Sequence, residues 1–259
     1  MKRVRSFFIF IDMKEKITGI VLSTVRHSDR HNVTGVYTRE RGRMAFLTPD
    51  GASRQSRQTA ACFQPLSVVE AQVSVNPTRE LHIPSAVARA EVWRTIYYEP
   101  AKMTVAMFLS EFLGRLLHDS PAEPSLWDFI MQSIKLLDTI DDEASIANFH
   151  ITVLIGLMRL TGIFPDLSAY SEGMEFDMKS GRMALPFSLQ GGVRGMRIDA
   201  RRTSFLPKLV RISYANCHRF RFNGRERSEI LDDILRYYGC HFPGCDRLKS
   251  LDILKEIFA

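Results

Sequence analysis

Seven arginines, Arg26, Arg30, Arg39, Arg41, Arg43, Arg54 and Arg57, fall within 32 consecutive positions of this chain. A guanidinium neutralises a phosphate and grips it with a planar fork of donors. Arginines mixed with aromatic rings make the usual surface for single-stranded nucleic acid, the cations following the backbone and the rings stacking bases. Tyr37 and Phe46 lie among the seven, but both occupy apolar strand positions and are expected in the core. Arg39, Arg41 and Arg43 share parity, which would align them along one strand face or turn edge. Lys14 and Lys16 are peripheral to the set.

Other chemistries find less support. His27-Ser28-Asp29-Arg30-His31 holds the residue types of a Ser-His-Asp site. A triad is a spatial arrangement, however, and neighbouring strand residues point to opposite faces. No G-x-S-x-G elbow occurs, so the segment reads as a polar turn. Gly191-Gly192-Val193-Arg194-Gly195 lacks the spacing of a nucleotide-binding loop and reads as a connector. Cys217-His218, Cys240-His241 and Cys245 place five zinc-ligating residue types late in the chain. None forms a C-x-x-C pair, and buried thiols behaving as small hydrophobes explain the cysteines equally well. Asp141-Asp142-Glu143 sits between two helical patterns, where acids stabilise the start of the following helix. No cofactor or metal is expected.

The rest of the chain must position the arginines. Its 259 residues carry a net charge of +6, with 45% hydrophobic and 25% charged residues, which excludes disordered and fibrous classes. No apolar run approaches the ~20 residues of a membrane span. The apolar stretch Phe7–Ile11 ends at Asp12, short of the roughly 7–15 residues of a signal peptide. Residues 1–12 therefore read as an extension before a natural start at Met13, and the expected location is the cytoplasm. Charge is segregated: residues 1–90 hold 14 Lys/Arg against 7 Asp/Glu, residues 91–190 hold 7 against 14, and residues 191–259 hold 14 against 8. A basic start, an acidic middle and a basic end give a polarised field suited to an anionic partner.

Five short β-rich runs precede residue 90: Ile17–Val25, His31–Thr38, Arg43–Leu47, Leu66–Val75 and Leu81–Val87. Arg41-Gly42, Pro49-Asp50-Gly51 and Asn76-Pro77 punctuate them. Five strands in that length fit an OB-fold barrel. From Ala101 the period becomes helical. One stripe carries Val105, Phe108, Leu109, Phe112, Leu113 and Leu116. A second follows Pro124, with Ser125 expected to open a capping box, and a third stops at Gly162. A hairpin is expected at Met174–Leu185, a helix ended by Gly239, and a last helix carrying Leu248, Leu251, Leu254 and Phe258. The class is α+β, with a five-stranded OB-fold domain over residues 1–90 and an α-helical domain over residues 91–259. Strands followed by helices argue against a doubly wound sheet.

Two stretches resemble the RecO family of bacterial recombination mediators. The first runs Thr18-Gly19-Ile20-Val21-Leu22, Ser28-Asp29 and Val33-Thr34-Gly35-Val36-Tyr37-Thr38-Arg39-Glu40-Arg41-Gly42. Ser53-Arg54-Gln55-Ser56-Arg57 follows in the place of the family's basic loop, ahead of a strand similar to Gln64–Glu70. The second is the tail, Leu248–Glu256. Between them, Gly162-Ile163-Phe164-Pro165-Asp166-Leu167 resembles the helix exit that often precedes the family's zinc module. Paired cysteines follow that exit in many members. Here Ser168–Gly173 contains none, so the resemblance implies a member without the zinc module.

The resemblance implies a non-catalytic DNA-repair factor that binds single- and double-stranded DNA and anneals complementary strands. With RecR it would help load RecA onto strands coated by single-stranded DNA-binding protein, whose acidic, hydrophobic C-terminal tail would dock on the helical domain. Its place would be the cytoplasm, on the nucleoid. The seven arginines are the expected DNA contacts. The alternative is an OB-fold RNA-binding or assembly module without annealing activity. An enzyme using the C-terminal Cys and His residues is a further rival.

Overall fold

The computed structural model describes residues 14–50, 53–76, 79–186 and 196–259. The chain divides into two compact units between Val92 and Trp93. Residues 1–12 and the glycine-rich segment 191–195 lie outside the described residues.

In the first unit the strands are β1 (Lys14–Arg26), β2 (His31–Thr38), β3 (Gly42–Pro49), β4 (Val68–Ser74), β5 (Leu81–His82) and β6 (Pro84–Arg89). Helix α1 (Arg54–Cys62) lies between β3 and β4. The strand order is β5-β3-β2-β1-β4-β6. Six strands replace the expected five because the fifth is broken at Ile83. Leu81–His82 pairs in parallel with β3, while Pro84–Arg89 pairs antiparallel with β4. These two neighbours stand on opposite edges of the sheet, yet one residue separates the two short strands. The sheet must therefore curl until its edges meet, which is how an OB-fold barrel closes.

Alternation fills the barrel. Along β3 every second residue is buried, so Met44, Phe46 and Thr48 point in. Ile17, Val21, Val36, Met44, Phe46, Phe63, Val69, Ala71 and Val73 form one core cluster. Tyr37 is fully buried as well. Strand β4 starts at Val68, two residues later than expected. Gln64–Ser67 is a turn closed by Ser67 N–H donating to the Gln64 carbonyl, with Leu66 at φ 59°. A left-handed leucine is strained. It is kept because its side chain is buried in the barrel and its N–H donates to the Val21 carbonyl.

The second unit is mostly helical: α2 (Pro100–Leu116), α3 (Pro124–Thr139), α4 (Glu143–Leu160), α5 (Ala200–Thr203), α6 (Leu206–Leu209), α7 (Gly224–His241) and α8 (Leu251–Ile257). Helix α4 is apolar nearly all round and lies against α2, α3 and α7, as a central helix should. Asp142 caps it by accepting from the Ser145 N–H, the structural role expected of the acidic run. Its exit is a Schellman turn: Gly162 has φ +75°, and Ile163 N–H donates to the Met158 carbonyl.

Three local expectations are corrected. The cap of α3 is Glu123, whose carboxylate accepts from the N–H groups of Ser125 and Leu126, with Pro124 in the first turn. Helix α7 runs through Gly239 to His241, because a Cβ there would lie 2.8 Å from Asp246 Cβ and only glycine admits that approach. Leu248 precedes the last helix. The hairpin is present as β7 (Glu175–Asp177) and β8 (Arg182–Ala184), joined by β9 (Arg197–Ile198) into a small sheet.

Where α3 crosses α4, a Cβ on Gly156 would stand 2.4 Å from Phe129 Cζ. Gly156→Ala gains helix propensity but must displace a packed ring. The expected result is a net loss of about 1–3 kcal/mol in denaturant unfolding, the usual cost of overpacking. A gain in stability would show that the ring moves freely.

Candidate nucleic-acid interface

The β1–β2 turn brings the first arginines to one end of the barrel. His27 and Ser28 N–H both donate to the His31 carbonyl, closing an exposed polar turn, and Asp50 N–H donates to the Arg30 carbonyl. That last bond ties the turn to the exit of β3, from which α1 begins. Ser53 caps α1 by accepting from the Ser56 N–H, so Arg54 and Arg57 lie on a helix, not the expected loop. Spaced i, i+3, they share a helix face.

Helix α1 is anchored twice at its C-terminal end. Phe63, which ends it, is buried in the barrel core, and Arg89 donates to the Ala61 carbonyl. A line of hydroxyls crosses the sheet beneath it. Thr24 and Thr34 Oγ1 are 3.2 Å apart, Thr34 and Thr48 Oγ1 3.1 Å apart, and Thr24 Oγ1 reaches the Phe63 carbonyl at 3.5 Å. Thr34 and Thr48 are buried. These threonines and Ser53 are positioning residues that counting arginines does not find. Their only sequence signal is threonine recurring on paired strands.

Arg30, Arg54 and Arg57 are exposed, and none has an ion pair among the described residues. Arg26 pairs with Asp29 at 3.1 Å, with the two side chains 69% and 98% exposed. So exposed a pair is worth at most about 1 kcal/mol and yields readily to a phosphate. This barrel end therefore presents four guanidinium groups against two carboxylates, the weakly held Asp29 and the half-buried Asp50 at the exit of β3.

Arg39 and Arg41 lie at the opposite end. β2 pairs with β3 from His31↔Pro49 to Thr38↔Gly42, leaving Arg39-Glu40-Arg41 as a three-residue hairpin loop with Gly42 at φ +73°. The seven steps from His31 to Thr38 separate the two turns by about 23 Å at ~3.3 Å per residue. Shared parity does not align Arg39, Arg41 and Arg43, because the first two are on the loop and the third is on β3. Arg39 is exposed. Arg41 forms a two-bonded ion pair with Glu15 at 2.5 and 3.1 Å. Glu40 accepts from the Thr18 N–H. Arg43 lies on the outer face against β2, where a Cβ on Gly35 would be 2.2 Å from its Nη2, and its Nη1 donates to its neighbour Met44's carbonyl.

The cysteine set does not assemble. Cys217 and Cys245 are buried, Cys240 is exposed, and no group of three His, Cys, Asp or Glu among the described residues is arranged to hold a metal. Burial pushes the Cys245 thiol up to about 11, with Asp246 adding to the shift, so it is not a thiolate at neutral pH. After the Pro165-Asp166-Leu167 exit the chain forms the small β7–β9 sheet, with Phe176, Met178 and Ile198 buried. That apolar donor set does not fit zinc. Among the described residues no helix is long and apolar enough to cross a membrane.

Comparison with known proteins places these features in a family. Residues 13–92 match the model for the recombination protein O N terminal, and residues 98–252 match that for the recombination protein O C terminal. The DNA repair protein RecO of Phocaeicola vulgatus is 35% identical over 250 residues, covering 95% of this chain and all of the relative. That of Bacteroides fragilis is 33% identical over 246 residues with the same coverage. That of Flavobacterium psychrophilum is 27% identical over 248 residues, again covering 95% of this chain and all of the relative. An OB-fold barrel followed by a helical unit, matched along nearly the whole chain, makes this protein a member of the RecO family of DNA repair proteins.

Proposed function

We propose that this chain is a non-enzymatic recombination mediator. It binds single- and double-stranded DNA, anneals complementary strands and, with RecR, helps load RecA onto strands coated by single-stranded DNA-binding protein. It works in the cytoplasm, on the nucleoid, and takes the acidic tail of the coating protein on its helical unit. What supports the DNA-binding part is the turn carrying Arg26 and Arg30, tied through Asp50 to the exit of β3, together with α1, which follows that exit and carries the exposed Arg54 and Arg57. Arg39 makes a second contact at the far end, where Arg41 is held by Glu15, while Arg43 supports the sheet between. The steps that need RecR and RecA rest on family membership.

The mechanism is electrostatic. Two strands approaching each other repel through their phosphates, and arginines that neutralise some of those charges release counterions and lower the barrier to pairing. No bond is made or broken. The test is the annealing rate of two complementary oligonucleotides with and without the protein across a salt series. Acceleration that fades as salt rises is expected. Tight binding without acceleration would identify a passive OB-fold RNA-binding or assembly module, and neither binding nor acceleration would refute the reading.

A further inference from the structure

The basic C-terminal third holds a second concentration of arginine and aromatic residues, in the second unit. Arg219-Phe220-Arg221-Phe222 leads from a single 3₁₀ turn (Cys217–Arg219) into α7. With Lys208, Arg211, Phe205 and Leu209, this stretch lines an open groove of about 470 Å³. Lys208, Arg211, Arg219 and Arg221 are exposed and have no ion pair among the described residues. Phe220 and Phe222 are half-buried, their centroids 5.7 Å apart and their planes tilted by 45°. The one acid in the lining, Glu226, is engaged in the α7 capping box, accepting from the Asn223 N–H at 3.0 Å.

The groove is built, not incidental. Asn148, buried on α4, donates to the carbonyls of Cys217 and Phe220, both at 2.9 Å. Arg227 donates to the Phe222 carbonyl at 2.9 Å and to the Phe258 carbonyl at 2.7 Å. These bonds fix the backbone of residues 217–222, with Arg219 and Arg221 exposed and Phe220 and Phe222 half-buried. A buried amide and a half-buried guanidinium are thus committed to holding the display in one shape.

We infer that this groove is a second single-strand binding site, with Phe220 and Phe222 stacking bases and Lys208, Arg211, Arg219 and Arg221 contacting phosphates. Half-buried rings that each keep an exposed part suit bases, and cations spread over two segments, 208–211 and 219–221, suit a backbone that runs past them. An acidic peptide with an apolar end would favour an enclosed socket and one focus of charge. The inference rests on the mediator reading and deepens it: annealing brings two strands together, and the chain then has one cationic surface in each unit.

The test uses the full chain and a fluorescein-labelled oligothymidylate, with anisotropy read across a salt series. At saturation and low salt the unmodified chain is expected to bind two short strands, and Arg219→Glu/Arg221→Glu only the one held by the barrel arginines. Both side chains are exposed, and Arg221 meets the fold through its attraction for the α4 cap Asp142, so the thermal midpoint should fall only slightly. A strand carrying 2-aminopurine should be quenched on binding, and Phe220→Leu, which keeps the apolar floor but removes a ring, should reduce that quenching. Two strands still bound per chain in the arginine variant, or only one in the unmodified chain, would overturn the site. If the same variant instead lost a fluorescent aspartate-rich peptide ending in phenylalanine, the groove would be a peptide socket. Failure of the unmodified protein to bind the strand would overturn the mediator reading itself, a separate outcome.

Discussion

Asp138→Ala is expected to destabilise the helical unit by about 3–5 kcal/mol, lowering its thermal midpoint by about 10 °C. Asp138 is buried at the end of α3, where its carboxylate accepts from the N–H groups of Arg94, Thr95 and Ile96 at 2.9, 2.8 and 3.2 Å. It thereby fixes the segment that opens the second unit. Thr95 in turn accepts from Lys102 Nζ at 2.9 Å, and Lys102 is fully buried on α2. Alanine would leave three backbone donors without their acceptor at once. Asp138→Asn keeps one carbonyl oxygen but presents an NH₂ to the other donors, so about half the loss is expected. Urea unfolding of the full chain measures both, and a loss below about 1 kcal/mol for alanine would show that water replaces the carboxylate.

Acid should reproduce part of this loss without mutation. Burial on its own would raise the Asp138 pKa, but the backbone donors and the Thr95 hydroxyl outweigh it and hold the carboxyl below its ordinary value of 3.8. Glu111 behaves alike. Burial opposes its ionisation, while the Ser250 hydroxyl and the N–H groups of Lys249 and Ser250 bring its pKa below 4.5, fastening the start of α8 to α2. A carboxyl whose pKa is lower in the folded state contributes stability that is complete above its unfolded value and disappears as pH falls through the folded one. These two carboxyls should therefore add no pH dependence near neutrality and lose their contribution below about pH 4.5, whereas the buried His150, pushed down to about 3 by desolvation and by Arg227, should make stability begin to fall already below about pH 6.5, where it binds a proton in the unfolded chain only. In Asp138→Ala that acid dependence should be shallower.

The strands were legible because inward residues alternate with outward ones, and the long helices because their stripes are broad. What was not legible depends on closure and contact. One candidate strand at Leu81–Val87 becomes two because closing the barrel hands the chain from β3 to β4 at Ile83, a tertiary event with no local signature. Ser53–Cys62 has no apolar stripe, and its helix depends on the Ser53 cap and the burial of Phe63. Gly239 resembles a helix stop until Asp246 is seen against it. The arginines were visible, but their grouping was not: parity orders residues within one strand, whereas Arg39 and Arg41 occupy a turn and Arg54 and Arg57 a helix. Nor does spacing tell that Glu15, 26 residues before Arg41, is its partner.

Arg54→Glu/Arg57→Glu is expected to weaken single-strand binding about tenfold to a hundredfold at low salt, for every sequence alike, and to lower the log–log salt slope by about two. Both guanidinium groups are exposed on one face of α1 with no ion pair among the described residues, so reversal creates repulsion without first breaking a bond. The helix should survive, because its cap, Ser53, and its buried anchor, Phe63, are untouched. Arg41→Gln makes the comparison informative. Its guanidinium is already engaged by Glu15, so it should change strand affinity by less than about threefold. Arg39→Glu, about 23 Å from the α1 end, separates two arrangements. If one strand spans both ends, Arg39→Glu lowers the slope by about one on a long oligonucleotide and leaves a short one unaffected. If strands occupy only the α1 end, it changes neither. An unaltered slope in the α1 double variant would remove that barrel end from the interface, because a phosphate contact cannot be lost without returning its counterions.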